Sequence, residues 1–218
     1  MSDAPLISVR GEAVLEVEPE IARLTVHVQS REDDRRRALD RLVERNERCL
    51  ELVRSYGDAV ERLETGGLVV TPLLKYRRRE GDVRAYQGTV QIGVTVSDFT
   101  VLGELVTRLG DLERTAVHGP DWALRPGSDV YARAARQAVH EAVARARGYA
   151  DALGCRLTGL VELSDENLAR AEPEHVAFAA AYGTTGADEP EALALEPETQ
   201  TVRAAVEARF TTTAPDLS

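Results

Sequence analysis

The chain has 218 residues, 43% of them hydrophobic and 29% charged, with a formal net charge of −10. That profile belongs to a globular protein with a core of ordinary size, and it excludes wholesale disorder. The negative balance argues against general affinity for nucleic acid or an anionic membrane. No apolar run approaches the length of a membrane span.

"ISVRGEAVLEV", residues 7–17, alternates with period two and predicts a strand. A short turn at Glu18-Pro19-Glu20 leads to "IARLTVHVQS", whose Ala22, Leu24, Val26 and Val28 share one face. So short a link predicts that these two strands form an antiparallel hairpin. The pattern then turns helical, with Leu39, Leu42, Val43, Cys49, Leu50 and Val53 in a stripe. Asp33 or Asp34 is placed to cap that helix and Gly57 to stop it.

A second hairpin follows in "LVVTPLLKYRRREGDVRAYQGTVQIGVTV", turning at Glu80-Gly81-Asp82. Pro72 in its first arm predicts an edge position or a bulge. Asp98 is set to cap a short helix that carries Leu102, Leu105 and Leu109 and ends at Gly110. "TAVHGPDWALRP" reads as a less regular strand.

Residues 128–154, "SDVYARAARQAVHEAVARARGYADALG", hold nine alanines and one leucine. Ala135, Ala138, Val139, Ala142, Ala146, Tyr149, Ala150 and Leu153 recur at helical spacing, between a cap at Ser128 or Asp129 and a stop at Gly154. A stripe of such small side chains lets a helix axis come close to its support. The reading is a helix lying tightly on a sheet. "RLTGLVELS" and "TVRAAVEARF" supply two more strands, separated by residues 165–198, which keep no period and read as a long acidic excursion.

These elements predict an α+β two-layer sandwich: a mostly antiparallel sheet of about seven strands, with three helices packed on one face. The polar face, with Arg10, Glu12, His27, Thr89, Gln91, Arg203 and Glu207, must meet water or another subunit.

Together, "ISVRGEAVLEVEPEIA", "VTPLLKY", "RAYQGTVQIGVTVSD", the alanine helix and the final strand resemble the SIMPL-domain family, which includes YggE-like oxidative-stress-associated proteins and a kinase-interacting branch. The resemblance runs from about residue 7 to residue 211 and implies a single domain over 1–218, with a core at about 7–164 and 199–211. It also implies self-association, with no shared catalytic motif. Many family members look exported, whereas this chain shows no signal pattern at its N-terminus, so a cytoplasmic location is expected.

Sequence patterns that carry chemistry are few. His27, His118, His140 and His175 show no metal-ligand spacing, and Cys49 and Cys155 form no CxxC, so buried reduced thiols are expected. No nucleophile elbow, phosphate loop or tuned carboxylate pair is visible. The expectation is a non-catalytic protein without metal or cofactor.

Two charge features stand out. Lys75, Arg77, Arg78, Arg79 and Arg84 surround one hairpin tip, with Tyr76 and Tyr86 nearby; a solvated tip is the plain reading, and a contact for a protein or anionic partner is the alternative. Residues 162–198 hold ten acidic residues against Arg170 alone, so nearly all the net charge lies there. That segment reads as a solubilising excursion, or as a strip docking on the basic hairpin of a neighbouring subunit. The functional expectation is a self-associating scaffold linked to stress response or envelope-related assembly. The alternatives are a binding module using hairpin 75–84 and, further off, an unrecognised hydrolase or isomerase.

Overall fold

The computed structural model describes residues 4–74, 83–165 and 193–216. Within them lie seven strands and three α-helices, all strand pairs being antiparallel. The α+β class and the helix count agree with the sequence reading. The strands, however, form two sheets rather than one, and the chain divides into two compact units.

The first unit contains β1 (Leu6–Val17), α3 (Asp129–Ala152), β6 (Leu157–Asp165) and β7 (Gln200–Thr212), with the sheet order β1-β7-β6. β1 and β7 pair without interruption from Leu6↔Thr211 to Val17↔Gln200. Helix α3 lies over these two strands. Its buried positions are Val130, Ala134, Ala138, Ala142, Ala146 and Ala150, an unbroken i+4 row that forms one natural ridge of a helix. Beneath it several of the buried residues are also small: Gly11 and Ala13 of β1 and Ala204 and Ala208 of β7, interspersed with Val9, Val202, Val206 and Phe210. The alanine stripe therefore serves close approach. Ala135 is only half-buried, and Tyr149 and Leu153, expected on the stripe, are exposed. They step off the i+4 row to its flanks. The Ser128 hydroxyl accepts from the Val130 N–H at 3.3 Å, and the helix closes through Cys155 N–H to Ala150 O and Gly154 N–H to Asp151 O.

The second unit contains β2 (Ile21–Glu32), α1 (Arg35–Arg54), β3 (Val60–Leu74), β4 (Val83–Val96), α2 (Leu102–Gly110) and β5 (Thr115–Ala123), together with the strap 193–198. Its sheet order, β3-β4-β2-β5, combined with the chain order βαββαβ, is the split βαβ arrangement of ferredoxin-like domains. Leu24, Val26, Val28, Ile92 and Val94 from the two central strands meet Leu42, Cys49 and Val53 of α1 and Leu102, Leu105 and Leu109 of α2. Burying this cluster removes several leucine and valine side chains from water, each worth about 1.5–3 kcal/mol.

Asp34 is the helix cap, accepting from the Arg36 and Arg37 N–H groups at 2.9 and 3.0 Å. α1 ends at Arg54, before Gly57, and Ala38 takes the buried place expected for Leu39. Leu39 and Val43 are exposed instead. The hairpin expected between the first two strands does not form: β1 pairs with β7, and both edges of β2 are filled by β4 and β5. The β3–β4 hairpin does form, with Leu74↔Val83 as its last described pair and bulges along β3.

Candidate functional site

Of the predicted partner residues, Arg84 is exposed near the start of β4. Lys75, Arg77, Arg78 and Arg79 lie outside the described residues, as does the turn between the two arms. Most of the acidic excursion, residues 166–192, also lies outside them. Its described flanks are built into the fold. Glu162 of β6 pairs with Arg209 at 3.5 Å, and Leu195 packs against the core of the second unit.

The polar residues expected on one sheet face divide between two sheets. Arg10, Glu12, Arg203 and Glu207 are exposed on the outer face of the β1-β7-β6 sheet. There a shallow depression is lined by Ser8, Arg10, Glu162, Ser164, Glu207 and Arg209. Arg10 is bonded to Glu12 at 2.8 Å, and Arg209 to Glu162. Opposite charges alternate across this floor, so it presents no concentrated field to a charged substrate.

The carboxylates with perturbed titration perform structural tasks. The N–H of Arg37, foremost, holds Asp34 below its ordinary range, and the Thr100 hydroxyl does the same for Asp98 at the start of the turn leading into α2. Glu44 is lowered by its bond from Arg41. Burial pushes the Cys49 thiol up to about 11, far from a reactive thiolate. Cys155 is buried too, and both cysteines are free thiols. Among the described residues no group of three or more His, Cys, Asp or Glu side chains converges as a metal site.

A different feature was missed in the sequence. β6 is the edge of its sheet among the described residues, pairing with β7 alone. Leu160 opposes Phe210 and Leu163 opposes Ala208, so both leucines lie on the sheet face that α3 covers elsewhere. The helix lies over β1 and β7, and Leu160, Val161 and Leu163 remain 57%, 53% and 47% exposed. Three β6 steps here match two on β7, because the register shifts between Leu160 and Glu162. A reading by simple alternation puts Leu160 and Leu163 on opposite faces, and only the bulge unites them. The result, among the described residues, is an apolar strip beside backbone groups that no second strand pairs, a surface suited to strand addition.

The structure also brings together two histidines far apart in sequence. His27 and His118 have ring centroids 5.2 Å apart and meet edge to face. His140 is exposed on α3, and His175 lies outside the described residues. Among the described residues no helix is long and apolar enough to cross a membrane.

Comparison with known proteins adds two findings. Residues 7–210 match the model of a family described as SIMPL, protein of unknown function (DUF541). The chain is also similar to the "26 kDa periplasmic immunogenic protein" of Brucella melitensis biotype 1 and to the protein of the same name in Brucella abortus strain S19. Each is 25% identical over 164 residues, covering 73% of this chain and 66% of the relative.

Proposed function

Because the chain belongs to the SIMPL family, whose description assigns no activity, we propose from its own surfaces that it is a non-catalytic, self-associating scaffold. The observation that carries this reading is the β6 edge, which no strand of the described residues pairs, with its exposed Leu160, Val161 and Leu163. The occupant that fits it is β6 of a second copy. Two identical edge strands meet antiparallel about a two-fold axis, which suits a sheet built wholly of antiparallel pairs. Leucines of both copies then cover one another, and two three-stranded sheets become one of six. The non-catalytic reading draws support from the use of the shifted carboxylates as helix caps and ion pairs.

The process proposed is stress response or envelope-related assembly. The word "periplasmic" in the relatives' names supports an envelope setting, and a cytoplasmic location is the other reading. Fractionation of cells expressing the native gene, with detection of the protein in each compartment, decides between them. Self-association is tested by light scattering across a concentration series. A dimer or larger particle is expected, and a strict monomer at the highest concentration overturns the scaffold reading.

A further inference from the structure

We propose that His27 and His118 form a two-imidazole site for a divalent transition-metal ion on the outer face of the four-stranded sheet. The two residues occupy neighbouring antiparallel strands, β2 and β5. His27 stands opposite Ala116, and His118 stands opposite Thr25 one step along the same face. Ala116 is too small to fill the space beside His27, and the His118 ring occupies it on the diagonal. The ladder is irregular just beyond this point: Asp121 opposes Arg23, so three steps on β5 match two on β2. Bulges of this kind re-aim side chains.

The spacing suits chelation. With metal–nitrogen bonds of about 2.0 Å, two imidazoles at a tetrahedral angle put their ring centroids roughly 5 Å apart. The observed separation is 5.2 Å, with ring planes at 83°. Turning one ring about its soft Cβ–Cγ torsion converts the edge-to-face pair into one with converging nitrogens. Neither ring makes a hydrogen bond among the described residues, so lone pairs are available on both. His118 is exposed and His27 half-buried, which leaves an open path for the ion. The formal charges facing them across the ladder, Arg23 and Asp121, are of opposite sign and oppose each other in register.

Imidazole donors select copper, zinc and nickel over magnesium or calcium, and Cu2+ binds such sites most tightly. With two protein ligands, the remaining positions stay open to water or to a donor from a partner molecule. This site was invisible in the sequence because its ligands belong to different strands and share no local spacing.

The test is titration of the full chain with Cu2+, followed by calorimetry and by electron paramagnetic resonance, above the ordinary histidine range of pH. One ion per chain with two coordinated imidazole nitrogens is expected. H27N and H118N should each weaken binding by about tenfold or more, and the double variant little further, since one ligand without the other no longer chelates. H140N should bind as the wild type does, and circular dichroism verifies that each variant is folded. A single-nitrogen signature, or equal affinity in the wild type and the double variant, overturns the site and leaves the pair as an aromatic packing contact.

Discussion

Ala142 of α3 sits so close above Gly11 of β1 that a Cβ on Gly11 would stand 2.5 Å from the Ala142 nitrogen and 2.7 Å from its Cβ. The same atom would fall on the carbonyl oxygen of Ala138. Helix backbone and strand backbone are thus in near contact, and rigid main-chain atoms cannot step aside as the end of a flexible side chain can. Gly11→Ala should therefore destabilise the protein by about 1–3 kcal/mol through overpacking, outweighing a gain of about 0.4–1 kcal/mol from stiffening the unfolded chain. Gly93→Ala is the control, because a Cβ there would meet nothing within 4 Å. Urea denaturation should separate the two variants, with a lowered midpoint for the first only. Equal midpoints would mean that α3 does not need its closeness.

A second close approach holds the strap. A Cβ on Gly103 of α2 would lie on the carbonyl oxygen of Leu193, and the neighbouring Leu195 packs on the core of that unit. Gly103→Ala should push residues 193–198 away from α2. Amide hydrogen exchange should accelerate across that segment, while α1 and β4 keep their protection. Unchanged exchange in residues 193–198 would show that the strap adjusts without detaching.

The split between legible and illegible features follows from what each depends on. Alternation in "GTVQIGVTV" gave β4 correctly, because its inner face is wholly buried by α1, α2 and their neighbours. Asp34 and Ser128 were readable as caps since capping is a local event, while Asp98 caps the 3-10 turn Phe99–Val101 that leads into α2 and not α2 itself. Pairing is not local. The link at Pro19 is short enough for a hairpin, yet β1 found β7 far along the chain. The choice depended on which strands filled the edges of β2, and sequence spacing does not record that. The same limit hid the site residues. Leu160 and Leu163 are united by a bulge, and His27 meets His118 only through the β2–β5 ladder. Tyr149 and Leu153 fit helical spacing but fall beside the i+4 row selected by the sheet beneath.

Burial sets a pH dependence at Cys49. Its thiol is raised from an ordinary 9.0 to about 11 in the folded protein because the charged form is desolvated. The native state thus keeps a proton that the unfolded chain releases above about pH 9. The resulting stability is fully present below the unfolded value and is lost as pH rises through the folded one. Denaturation midpoints should fall between pH 9 and 11, and Cys49→Ala should flatten that part of the fall. In native protein below pH 9, Cys49 should also resist alkylation until denaturant is added. Rapid modification without denaturant would contradict its burial.

The β6 edge yields the mutational test of assembly. Leu160 and Leu163 are about half exposed, so replacing them removes little buried area within one chain. Leu160→Lys with Leu163→Lys should change thermal stability of the separated chain by less than about 0.5 kcal/mol, as surface substitutions generally do. Across a two-fold strand pair, however, the lysines of two copies would face one another along the strip meant to be apolar. Natural edge strands use such charges to prevent pairing. The double variant should therefore scatter light as a smaller particle than the wild type at equal concentration, with unchanged circular dichroism. Lysine repulsion is screened by salt, whereas the lost leucine contact is not. If high salt only partly restores the larger particle, both effects act at this edge. A double variant that assembles like the wild type in low salt would move the contact elsewhere on the protein.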